Sequence, residues 1–150
     1  MGRVLVGCVG NLLRGDDGFG PAVAARIGPL PDGAELVETG IGGVALLQEL
    51  LGHWDALVLV DAVDRGARPG TLFEIEPQVG RAVHVPDVHL ANPERVLAMA
   101  KALGCLPPRV LIVGCQPAIV DELHEGLSPE VERAVDAAAE RVRRAVAEWV

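Results

Sequence analysis

Apolar residues along this chain gather into runs of strand length, separated by stretches with helical spacing. Val4–Val9 (VLVGCV) is continuously apolar, as expected of a central strand buried on both faces. Gly18–Ile27 reads as a helix, with Pro21 suited to its first turn and Gly28 to its end. Ala34–Glu38 is a second short strand, and Val44–Leu51 a second helix stopped near Gly52. Ala56–Val60 (ALVLV) is the plainest strand pattern in the chain. Thr71–Glu76 (TLFEIE) alternates with period two, so one of its faces is expected to be wet. Only about ten residues join it to the preceding strand, fewer than a parallel crossover needs, which predicts an antiparallel edge strand. Pro93–Leu103 is a helix and Arg109–Gly114 the last buried strand. Pro129–Trp149 is a long terminal helix, with Ser128 as its expected N-cap and Glu130 and Glu132 in its first turn.

Strands and helices alternate almost throughout. With right-handed crossovers this predicts a doubly wound, three-layer α/β sandwich: a single domain over residues 1–150, with about five mostly parallel strands and one antiparallel edge. Ligands of such sheets sit beyond the carboxyl ends of the strands where the strand order reverses, here between the first and third strands. Any site should therefore draw on residues that follow those two strands.

Composition narrows the class. Half of the 150 residues are apolar and 23% are charged, enough for a core and too apolar for a disordered chain. Aromatic residues make up 3% and Tyr is absent, so aliphatic side chains must fill the interior. A net charge of -8 disfavours nucleic acid and anionic membranes as partners. No apolar run reaches the roughly 18–20 residues that span a bilayer, and Met1–Val9 lacks a signal-peptide layout, so a cytoplasmic protein is expected. Three widely spaced cysteines, Cys8, Cys105 and Cys115, form neither a disulfide framework nor a CxxC zinc knuckle; they read as reduced, buried, small hydrophobes.

Two acidic segments fall at the expected crevice. Gly10-Asn11-Leu12-Leu13-Arg14-Gly15-Asp16-Asp17-Gly18-Phe19-Gly20 follows the first strand, and Asp61-Ala62-Val63-Asp64 ends the third. Asp61 comes directly after five apolar residues, so it should emerge partly desolvated at the rim, where a carboxylate needs a cation, a metal or donors. His89 lies between a loop and a helix; with two carboxylates it would complete an O/O/N set suited to Zn, Ni, Mn or Fe. Spacing alone certifies none of this. Asp17 would serve equally as a helix N-terminal cap, Asp61 as an acceptor of backbone N–H groups, and His89 as a loop residue. Asp16 reads as a turn or cap residue and Asp64 as a loop residue. His53, His84 and His124 read as solvent-facing, with His124 able to border the cleft. Gly7 and Gly10 lack the full spacing of a nucleotide loop. Gly10, Gly15, Gly18 and Gly20 fit sharp turning and tight helix packing instead. The arginines around Arg141–Arg144 read as a solvated face pairing with nearby Glu.

Val4–Gly20, with its Gly-Asn-Leu-Leu, acidic pair and Gly-x-Gly order, resembles the opening of the nickel–iron hydrogenase maturation endopeptidases. Leu59–Asp64 followed by Pro69-Gly70-Thr71, the placement of His89 before Val96-Leu97, and Gly126–Pro129 ahead of a long helix are similar too. The resemblance implies an endopeptidase that removes a C-terminal extension from the hydrogenase large-subunit precursor after nickel insertion. It implies that Asp17, Asp61 and His89 contact nickel carried by the precursor, with Asp17 and Asp61 as the candidate catalytic acids and no organic cofactor. Both a metal-assisted and an aspartic-type mechanism stay open. Asp17 stands where many members have Glu. The family's Asp-Gly-Gly-Thr-x-Gly loop departs here to Glu38-Thr39-Gly40-Ile41-Gly42-Gly43, with Glu38 at the Asp position and Ile41 at the Thr position. Two other functions compete: a non-catalytic nickel-sensing or metallochaperone module for the same precursor, and a flavodoxin-like small-molecule binder. Scarce aromatics count against a flavin. Oligomeric state is open.

Overall fold

The computed structural model describes residues 2–40, 43–77, 93–118 and 125–150. Strands β1 (Val4–Val9), β2 (Ala34–Gly40), β3 (Ala56–Ala62), β4 (Leu72–Ile75) and β5 (Arg109–Cys115) form one sheet in the order β2-β1-β3-β5-β4. The first four strands in that order run parallel, and β4 pairs antiparallel with β5 at the edge. The short connection after β3 thus did force an antiparallel return, and the order reverses between β1 and β3 as expected.

Helices α1 (Phe19–Arg26), α2 (Gly43–Leu50), α3 (Pro93–Ala102) and α4 (Pro129–Trp149) cover the two faces. Alternation along the strands splits the core accordingly. Val4, Val6 and Cys8 of β1 join Val58, Val60 and Val113 against α1 and α4. Leu5 and Val9 join Leu57, Leu59 and Ile112 against Leu46 and Leu50 of α2 and Leu97 and Ala100 of α3. Every residue of β1 is buried, which is why its sequence reads as an unbroken apolar run. Along α4, Val131, Val135, Ala138, Val142 and Val146 make one buried stripe at helical spacing. Opposite that stripe, Arg141 pairs with Glu74 at 3.4 Å and Arg143 with Glu140 at 3.0 Å, the solvated face expected of those arginines. No helix among the described residues is long and apolar enough to cross a membrane.

All three cysteines are free and buried. Burial, then the charge of Glu38, pushes the Cys8 thiol up to about 12. Helix α1 ends at Arg26 with Ile27 as its C-cap, followed by Gly28 at φ 71, the left-handed stop its sequence position implies. His53 is exposed beyond α2, with φ 62, and its carbonyl oxygen accepts from the Arg3 guanidinium.

Candidate active site

The chain leaves β1 at Gly10, whose φ of 141 and lack of a side chain are both required. A Cβ there would lie 1.9 Å from the Asp17 carbonyl oxygen. The following turn is held by Asn11: its side-chain oxygen accepts from Leu13 N–H at 2.9 Å and its carbonyl from Arg14 N–H at 3.1 Å. Asn11 N–H in turn donates to the Asp17 carbonyl oxygen and to Asp17 Oδ2, both at 3.1 Å. Asp16 and Asp17 sit together in a 3₁₀ turn, Gly15–Gly18, that runs straight into α1.

Gly20 brings this turn over the sheet. A Cβ on it would fall 2.2 Å from the Val9 carbonyl oxygen and 2.8 Å from that of Val60, so the start of α1 rests on the ends of β1 and β3. Asp61 is the next residue after Val60, in β3, and is only 4% exposed. Burial raises its carboxyl well above the usual carboxylate range; the neighbouring Asp17 charge raises it further, against a backbone hydrogen bond at Ala62. Asp17 is half-buried and its carboxyl is also raised, first by desolvation, with the Asn11 hydrogen bond and the charge of Arg14 pulling it down. Two carboxylates distant in sequence thus come near each other at the reversal point of the sheet, and the charge of Asp17 acts on Asp61. A capping role for Asp17 is not what is seen. Gly18 stands at the N-cap of α1, and the Asp17 side chain accepts from the preceding loop.

Asp16 has a separate task. It is fully buried; Oδ1 accepts from Ser128 N–H at 2.7 Å, and Oδ2 accepts from Ala118 N–H at 2.7 Å and from the Ser128 hydroxyl at 2.8 Å. Ser128 occupies the N-cap position of α4, but its side chain does not cap that helix. This corrects the expected role: the hydroxyl is drawn to a buried carboxylate from another loop. Asp64 is a loop residue as expected, its carboxyl lowered by hydrogen bonds from Gln116 and the Gly66 N–H. Gln116 gave no signal in the sequence. It is buried just past β5; Oε1 accepts from Arg65 N–H at 2.7 Å and Ala67 N–H at 3.1 Å, while Nε2 donates to Asp64 Oδ1 at 2.9 Å. An isolated polar residue after an apolar strand does not announce such long-range bonds. Thr39, the extra residue where the β1–β2 register shifts, is buried with its hydroxyl unpaired among the described residues.

His84, His89 and His124 lie outside the described residues, as do Ile41 and Gly42 of the departing glycine loop. Among the described residues, no three His, Cys, Asp or Glu side chains gather closely enough to hold a metal ion. The pair itself can hold one proton between two acids, or offer two anionic ligands to a cation brought by a substrate.

Fold and site together define a doubly wound α/β protein with a coupled acid pair at its switch point. The family model described as hydrogenase maturation protease matches residues 25–145, a span that contains Asp61 and His89. The hydrogenase expression/formation protein HupD of Rhodobacter capsulatus is 33% identical, over 98% of this chain and 72% of its own length. The hydrogenase 2 maturation protease of Escherichia coli is 30% identical, over 97% of this chain and 92% of that one. Among solved structures, the hydrogenase maturating endopeptidase HybD from Escherichia coli superimposes with a TM-score of 0.82 at 29% identity, covering 97% and 93% of the two chains. The chain belongs to the hydrogenase maturation protease family, whose members are peptide-bond hydrolases.

Proposed function

We propose that this protein is a cytoplasmic endopeptidase that removes the C-terminal extension of a nickel-loaded hydrogenase large-subunit precursor. The observation that carries the reading is the coupled pair: a buried Asp61 whose carboxyl is raised by desolvation and by the charge of Asp17. Arg14 acts on Asp17, but the groups that set Asp61 include no cation, so the pair is an electrostatic demand that a proton or a metal would satisfy. In the absence of precursor, a proton taken up by the pair would meet that demand, as in an aspartic-type dyad. Nickel carried in the precursor would displace that proton and take Asp17 and Asp61 as anionic ligands, with His89 completing the grip. The metal thereby marks the correct substrate. The scissile carbonyl beside it would be polarised; in the alternative arrangement, only one of the two acids would ligate the metal and the other would accept the proton of the attacking water.

Asp17, one methylene shorter than the Glu that many members of the resembled family carry, would have to approach the metal more closely. Proteolysis separates this reading from a metallochaperone that binds the same precursor without cutting it. The test is mass spectrometry of a co-expressed large-subunit precursor, with and without nickel. Loss of the C-terminal extension only in the nickel-loaded sample is expected. An intact precursor in both samples, or equal trimming without nickel, would refute the proposal.

A further inference from the structure

We infer that the segment leaving β5, Gln116–Ala118, is a brace that fixes the Asp17 turn and the Asp61 loop relative to each other, with Gln116 and Asp16 as positioning residues. The inference rests on the reading that Asp17 and Asp61 act together. β5 supplies no acid to the site, yet both acid-bearing segments are tied to its end. On one side, Ala118 N–H donates to Asp16, the residue before Asp17 in the same 3₁₀ turn, at 2.7 Å. On the other, the Gln116 side chain accepts from Arg65 and Ala67 and donates to Asp64, organising the loop that follows β3 just beyond Asp61. The Gln116 backbone extends the hold to the start of β4: its N–H donates to the Thr71 carbonyl at 2.8 Å, and its carbonyl accepts from Gly70 N–H at 2.9 Å. Val63 N–H donates to the Cys115 carbonyl at 2.9 Å. Ser128 joins through Asp16, so the start of α4 is locked to the same point.

Gln116 and Asp16 are 5% and 0% exposed, so water cannot readily replace these bonds. Neither residue needs to touch the substrate. What they set is the relative placement of two carboxylates, one in the 3₁₀ turn and one at the end of β3, and a displacement of about 1 Å at such a site costs about a hundredfold in rate.

Three variants test the brace, assayed by single-turnover cleavage of nickel-loaded precursor and by precursor binding. Asp16→Asn places an amide donor against donors already there. Gln116→Glu keeps the acceptor for Arg65 and Ala67 but sets a second carboxylate against Asp64. The double variant Asp64→Asn with Gln116→Glu restores a donor–acceptor pair across that contact. We expect cleavage at saturating precursor to fall about tenfold to a hundredfold in the two single variants, with precursor affinity within about twofold of wild type. The double variant should recover most of the loss. Amide hydrogen exchange of the wild type should show Arg65, Ala67, Ala118 and Ser128 N–H groups protected, with the Ala118 or Ser128 amide released in Asp16→Asn, which loses one acceptor oxygen. Wild-type cleavage by folded single variants, no recovery in the double variant, or unprotected amides in the wild type would overturn the brace. Asp17→Asn and Asp61→Asn run alongside: if these cleave normally the acid-pair reading fails, whereas if only the brace variants cleave normally the brace alone fails.

Discussion

Gly20→Ala is the smallest change that should damage both the fold and the site. The added Cβ would lie 2.2 Å from the Val9 carbonyl oxygen, 2.8 Å from that of Val60 and 2.8 Å from the Val9 nitrogen. Ordinary contact needs about 3.5 Å, so α1 must withdraw from the ends of β1 and β3 by about 1 Å. The obstacles are backbone atoms of central strands and cannot rotate away. Overpacking of this kind costs about 1–3 kcal/mol, and fixed obstacles put this site at the upper end. The better helix propensity of Ala returns less than about 1 kcal/mol in a first turn. A net loss of about 2–3 kcal/mol lowers Tm by about 5–10 °C for a chain of this length. The control is Gly28→Ala, which meets nothing within 4 Å and strains only the backbone at φ 71; its cost should stay near 1 kcal/mol. Calorimetric melts of both variants against wild type measure the difference, and single-turnover cleavage should fall more in Gly20→Ala than its stability loss explains. A Gly20→Ala protein that melts at or above the wild-type temperature would refute the close approach of α1 to the strand ends.

Other consequences follow from burial and charge. In the metal-free protein, Asp61→Asn should raise Tm at neutral pH. The folded state holds the Asp61 proton more tightly than the unfolded chain does, so its stabilisation is fullest below the ordinary carboxylate pKa and is lost as pH rises through the raised folded value. The variant's advantage should therefore vanish in acid, and a variant less stable than wild type at pH 7 would contradict the desolvation argument. Cys8 and Cys115, whose thiols burial pushes up to about 12, should resist iodoacetamide at pH 8 in the folded protein and react only on unfolding; mass spectrometry of the alkylated protein reads this directly. Leu12 and Leu13, 57% and 61% exposed on the turn between β1 and Asp17, offer an apolar surface beside the acids to a precursor peptide. Replacing each by Ser should weaken precursor binding about tenfold and leave Tm unchanged, and unchanged affinity in the double variant would remove them from the docking surface.

Much of this architecture was legible because its signals are local. VLVGCV and ALVLV are unbroken apolar runs because β1 and β3 are covered on both faces. The edge role of β4 followed from the reach of a short connection, and Asp61 stood out as an acid ending an apolar strand. What could not be read depends on the direction a side chain takes in three dimensions. Asp16 and Asp17 are the same residue type in adjacent positions. The 3₁₀ turn sends one inward to Ser128 and Ala118 and leaves the other beside Asp61. Ser128 before Pro129 carries every local mark of an N-cap, yet a buried carboxylate far away in sequence outbids the helix end for its hydroxyl. Gln116 shows nothing of its role without the loop it holds.

The central claim is that Asp17 and Asp61 work as one unit. Single-turnover cleavage of nickel-loaded precursor by Asp17→Asn, Asp61→Asn and the double variant measures it. Each single substitution is predicted to cost about 10³-fold or more, and the double variant to be no slower than the worse single one, because residues acting together are not additive. Wild-type cleavage by either single variant, or penalties that multiply in the double variant, would contradict the claim.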